Sequence, residues 1–179
     1  MPESSFFRSL SIACAIACAR ESAAAQTAGP ATTPPPCRAS EYRQFDFWVG
    51  DWEVHTPDGK PAGSNRIERI LGGCALRETW KGASGMSGTS LNSWDPGTRR
   101  WHQTWVGDDG VLLKLEGGLR AGKMMMLGET VGAGGDRALQ RITWSTMAGG
   151  RLRQFWEQSS DAGKTWTTAF EGIYSPKPK

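Results

Sequence analysis

Residues 100–118 read RWHQTWVGDDGVLLKLEGG. Trp101, Gln103 and Trp105 fall at every second position, with His102, Thr104 and Val106 between them. Alternation of this kind is the period of a β-strand whose two faces meet different surroundings. Asp108-Asp109-Gly110 interrupts the run with residues suited to a tight turn, Val111 to Glu116 resumes it, and Gly117-Gly118 closes it. Two such runs joined by a short turn make a hairpin, so the local rule is antiparallel pairing.

The same pattern extends outward in both directions. Towards the N-terminus the strand-like runs are Phe47 to His55, Ser64 to Leu71, Ala75 to Lys81 and Thr89 to Trp94. Pro57-Asp58-Gly59, Gly72-Gly73, the loop GASGMSG and Asp95-Pro96-Gly97 separate them. Towards the C-terminus come Lys123 to Thr130, Arg137 to Met147, Arg151 to Ser159 and Thr165 to Tyr174, with Gly149-Gly150 as one of the breaks. Ser40 to Phe45 fits a short helical turn. With no stretch of helical periodicity long enough for a crossover, parallel pairing has no connection to use. The predicted fold is all-β: an antiparallel up-and-down meander of ten strands, roughly 10–12 residues apart. An open sheet of that width would leave two bare edges, and closure into a barrel removes them.

Alternation also assigns an interior. Leu76, Glu78 and Trp80 share one face of their run, as do Gln140, Ile142, Trp144 and Thr146, and Leu152, Gln154, Trp156 and Gln158. Placing the large aromatics inside gives an aromatic interior that also holds Glu78, Asn92, Gln103, Gln140 and Gln154. A sealed core disfavours that many polar groups unless they pair, whereas a ligand cavity uses them. The candidate ligand-binding residues are Glu78, Trp80, Asn92, Gln103, Trp105, Gln154 and Trp156. Cavity size discriminates the readings: an interior below roughly 300 Å³ favours a filled barrel over a binding one.

The domain organisation follows from composition. In residues 1–25, Arg8 precedes a short apolar segment from Ser9 to Ala19, too short to cross a bilayer, and Ala23-Ala24-Ala25 then suits cleavage. This reads as a secretory signal peptide. A rival reading acylates Cys18 or Cys14, although Ala15 occupies the position where a lipoprotein signal usually has Leu. Residues 26–36, QTAGPATTPPP, form a Pro-rich disordered linker. The barrel domain spans 37–179. Of four cysteines, only Cys37 and Cys74 fall in it, and a pair in an exported chain is most simply a disulfide. Neither has a second ligand at zinc spacing, so no metal site is expected. The formal charge is +3, from 21 basic and 18 acidic residues without long blocks of one sign, so no nucleic-acid partner is expected.

The stretch FDFWVGDW, Phe45 to Trp52, resembles the opening of an uncharacterised family of exported bacterial proteins. Domains of that family begin F-D-F-W-x-G-x-W and end in an Asp-Gly-x-x-Trp hairpin. The resemblance covers Cys37 to Tyr174. Within it, Gly50-Asp51-Trp52 is similar to the G-x-W on the first strand of lipocalins and other calycins, where the Trp plugs the closed end of the barrel. In lipocalins an Arg from the last strand crosses that Trp; here the last Arg is Arg153, on the ninth run. The resemblance therefore implies a calycin-like barrel and core roles for Trp48 and Trp52. Ser159 to Trp166, SSDAGKTW, looks like the Asp-box hairpin of sialidase propellers, but one copy in this length cannot build a propeller. It is expected to act as a hairpin staple.

The remaining chemistry is sparse. His55 and His102 are the only histidines, and His102 alternates out of phase with Trp101 and Trp105, so it offers no axial ligand for a haem inside the barrel. Met124-Met125-Met126 fits core filler. No nucleophile elbow, P-loop, dinucleotide fingerprint or HExxH is present, and no catalytic residue or cofactor is expected. Glu78 is the inward carboxylate, expected to bond an Arg or a Trp N–H. The leading function is a non-catalytic barrel binding a small, partly apolar ligand in the periplasm or outside the cell. A hydrolase acting on a sugar or lipid through Glu78 is one alternative, and would need a second carboxyl group. A structural envelope module with a filled barrel is the other.

Overall fold

The computed structural model describes residues 36–178. The expected signal peptide at 1–25 and nearly all of the expected linker at 26–36 lie outside them. Ten strands follow in chain order: β1 Gly50–His55, β2 Pro61–Ile70, β3 Ala75–Gly82, β4 Ser87–Asp95, β5 Arg100–Gly107, β6 Leu112–Arg120, β7 Lys123–Val131, β8 Arg137–Thr146, β9 Leu152–Ser159 and β10 Thr167–Pro176. Each pairs antiparallel with its sequence neighbour, and β1 pairs with β10, which closes the barrel. At the seam Trp52 faces Pro176 and Val54 faces Tyr174.

Several expected boundaries move, and three of the shifts have a plain physical reason. β6 does not end at Gly117-Gly118 but runs on to Arg120. Gly117 stands opposite Met126, and a Cβ there would overlap the Met125 carbonyl. Glycine here permits close approach of two strands instead of making a turn. β1 begins at Gly50, because Asp46–Trp48 forms a 3-10 turn. β10 begins at Thr167, because Thr165 is held in the turn that follows Ser159: its amide donates to Asp161 Oδ1 (2.9 Å) and its hydroxyl to Asp161 Oδ2 (2.6 Å). Those bonds hold the Asp161 carboxyl down at about 2, with the Thr165 hydroxyl as the largest cause. Arg141 stacks 4.0 Å over Trp166 beside it.

The chain that precedes β1 seals one end. Phe45 and Trp48, both fully buried, stack with ring centroids 4.7 Å apart. Trp144 meets Phe45 edge-on at 5.2 Å and Trp101 does so at 5.7 Å. Trp52 donates its indole N–H to the Trp48 carbonyl at 2.9 Å. Polar links hold this plug in place. Arg69 pairs with Asp46 at 2.6 Å, Arg43 donates to the Gly73 carbonyl, and the Cys37–Cys74 disulfide joins the entering chain to the β2–β3 turn. The two Met residues that face inward, Met124 and Met126, are fully buried, as core filler should be.

Because the disulfide spans 37 residues, its loss relaxes the unfolded chain by roughly 3–4 kcal/mol on a loop-entropy estimate. The Cys37→Ala/Cys74→Ala double variant should lose about that much in a urea unfolding titration. A stability equal to that of the oxidised parent would mean that the plug is held without the bridge.

Candidate functional site

Above the plug the interior is layered. The strand alternation that sends Leu76 into the sealed end sends Glu78 into the middle of the barrel and Trp80 towards the opposite rim. β5 repeats the pattern with Trp101, Gln103 and Trp105. The result is an aromatic plug, a band of polar side chains, and a second aromatic ring near the mouth.

The polar band is a connected network across six strands. Gln103 Nε2 donates to Asn92 Oδ1 (2.8 Å), and Asn92 Nδ2 donates to Ser90 Oγ (2.9 Å). Ser90 Oγ donates to Glu78 Oε2 (2.6 Å), and Asn65 Nδ2 donates to Glu78 Oε1 (2.7 Å). Asn65 lies 3.3 Å from the Tyr174 hydroxyl, which donates to Gln154 Oε1. A separate pair of bonds orients the rim: Trp156 donates to Gln140 Oε1 (2.7 Å), whose amide donates to Thr130 (2.8 Å). Buried polar groups satisfied in this way avoid the cost of unpaired burial and fix one another's rotamers.

Glu78 is only 5% exposed, and its donors are neutral. The expected Arg or Trp N–H partner is replaced by an amide and a hydroxyl. Neutral donors offset burial only in part, so desolvation pushes its carboxyl up to about 7 against the pull of Ser90 and Asn65. Burial likewise raises the Tyr174 hydroxyl, and the neighbouring Glu78 raises it further.

These residues border an interior cavity of about 280 Å³. Of the seven residues singled out from the sequence, Glu78, Trp80, Gln103, Trp105, Gln154 and Trp156 line it together. Asn92 does not; it is completely buried behind Gln103 and holds that side chain through its Oδ1. Sequence reasoning missed Tyr174, Phe170, Asn65 and Ser90. The alternation signal was available for the last two, since Asn65 shares a face with Ile67 and Ser90 with Asn92. The rim depends on small residues. A Cβ on Gly88 would overlap the Trp105 indole, so that ring rests directly on the β4 backbone. Trp80 meets Phe170 edge-on at 6.1 Å.

Two other features belong outside the interior. His102 lies near Thr98 (3.2 Å) and Asp95 (3.8 Å) on the outer face. A groove of about 880 Å³ lies beside it, lined largely by exposed side chains such as Arg99, Lys114 and Arg120, with Arg100 paired to Glu116. Its size exceeds that of the interior cavity, but solvent screens its charges, whereas the interior holds its polar groups in low dielectric. Among the described residues no group of three His, Cys, Asp or Glu side chains could hold a metal. No helix among them is long and apolar enough to cross a membrane. No protein-family model matches the chain, and no curated protein matches it in sequence.

A carboxyl whose folded value lies near 7 against an ordinary 4.5 takes up a proton on folding between those limits. The stability this group supports is fully present below pH 4.5 and is lost as pH rises through 7, by roughly 3 kcal/mol in all. Thermal melts at pH 5 and pH 8 should therefore show a larger loss for the parent than for Glu78→Gln, which stays neutral. Parallel pH profiles for the two proteins would mean that Glu78 takes up no proton on folding.

Proposed function

We propose that this protein is an exported barrel that binds one small, partly apolar molecule in the open half of its interior. The observation that carries this reading is the layered lining: a hydrogen-bonded polar band beneath Trp80, Trp105 and Trp156, all bordering one cavity. Indole rings offer large, rigid contact area, and fixed amides supply direction. The sealed end, with its Phe45–Trp48–Trp144 cluster, sets the depth to which a ligand can enter.

Export rests on the reading of residues 1–25 as a signal peptide, and a disulfide is at home in an oxidising compartment. The similarity of Gly50-Asp51-Trp52 to the calycin opening, and of Phe45 to Trp52 to an exported bacterial family, accords with the same reading. Binding rather than hydrolysis is favoured because Glu78 is the sole carboxylate among the cavity-lining residues, and glycoside hydrolysis needs two.

Cavity volume favours a second reading. At about 280 Å³ the interior falls just below the roughly 300 Å³ that marks the lower end of ligand pockets, as a filled structural barrel would. The two readings part on binding. Small aromatic and aliphatic compounds, screened by thermal shift, should include binders that alter intrinsic Trp fluorescence. Trp105→Ala should weaken them about tenfold or more, by removing one wall. Undiminished affinity in both Trp105→Ala and Gln103→Ala would place the ligand elsewhere. The absence of any binder would leave the filled barrel.

A further inference from the structure

The polar band is not balanced. Glu78 receives one hydrogen bond on each oxygen, leaving about half of a carboxylate's acceptor capacity unused. Among the described residues, Asn65 Oδ1 is buried without a hydrogen-bond partner. Gln103 donates one amide N–H to Asn92. Donors are left over too, the buried Trp144 indole N–H among them, so what sets the band apart is that one of its spare acceptors is an acid. No Lys, Arg or His is among the residues lining the cavity, so no basic side chain there balances a negative charge on Glu78.

The aromatic ring is placed to complete such a site. Glu78, Ser90 and Trp105 are register partners across β3, β4 and β5, so Trp105 lies in the same row as the carboxyl. Trp80 is two residues further along β3 on the same face, with Phe170 against it. Indole faces attract cations through their quadrupole, and the attraction strengthens where water is excluded. An acid without a counter-ion, an unpaired acceptor on its neighbour Asn65, and aromatic walls call for one ligand chemistry: a positive head that carries N–H donors, on an apolar body.

We propose that the ligand is a compact primary or secondary ammonium ion, its charged head against Glu78 and its apolar body among Trp80, Trp105 and Trp156. This rests on the binding-barrel reading above and names its ligand class. Binding would convert Glu78 to the carboxylate, so a proton leaves the protein as the ammonium enters. Tyr174 is the other titratable side chain lining the cavity; its raised hydroxyl stays neutral over the same range and takes no part.

Calorimetry with two matched pairs tests this: 2-phenylethylamine against 2-phenylethanol, and hexylamine against hexan-1-ol. Both amines remain protonated from pH 5 to pH 8, as lysine does. At pH 8 the amine of at least one pair should bind about tenfold more tightly than its alcohol. That advantage should vanish at pH 5 and in Glu78→Gln, and binding at pH 7 should release protons, seen as a heat that depends on the buffer. Should Glu78→Gln fail to fold, the parent's pH comparison decides alone. Alcohols that match their amines in both pairs, or an amine advantage equal at pH 5 and pH 8, would overturn the ammonium assignment while leaving a binding cavity. No binding by all four compounds, together with an empty apolar screen, would overturn the cavity reading as well.

Discussion

A closed antiparallel ring sends every second side chain into one enclosed space, and nothing placed there can escape to solvent along an edge. In this protein ten strands contribute to that space, and the side chains must fill it, pair within it or leave room in it. The chain does all three, in layers. Phe45 and Trp48 enter from the segment before β1 and fill one end against Trp101 and Trp144. The middle is paired, through amides, hydroxyls and Glu78. The far end retains a cavity between indole rings.

The layers are mechanically linked. A plug pinned by the Cys37–Cys74 disulfide and the Arg69–Asp46 pair gives the barrel a fixed floor. Tyr174 packs 6.2 Å from Trp52 at that floor and reaches up to Gln154 and Asn65 in the polar band. Asn65 in turn holds Glu78. A well-packed end thus positions a less comfortable middle, in which an acid is buried among neutral donors. Burial of that kind costs stability at neutral pH, which is a common feature of sites kept for binding instead of for folding.

Most of the architecture was legible because period-two alternation and turn residues are local signals. All ten runs became strands in sequence order. One boundary error fell where one residue type serves two purposes. Gly117-Gly118 has the composition of a turn, but the close approach of β7 is what requires glycine at 117, and that is a property of the neighbouring strand. The candidate site was legible to the extent that parity alone assigns a face, so six proposed lining residues converge on one cavity. Depth along the barrel axis was not legible. Parity places Asn92 inside, yet only the register with β5 shows it lying behind Gln103. The partners of Glu78 were misjudged for the same reason: Ser90 and Asn65 reach it through strand register that no single segment encodes.

Glu78 sits in a low-dielectric interior with neutral donors and no basic partner among the residues lining the cavity. Isotope-edited infrared titration of the ligand-free protein, using Glu78→Gln to identify the band, measures that carboxyl directly. Its protonated C=O stretch should persist until about pH 7. A midpoint near the ordinary glutamate value of 4.5 would mean that water or a cation reaches the group, and would contradict burial among neutral donors.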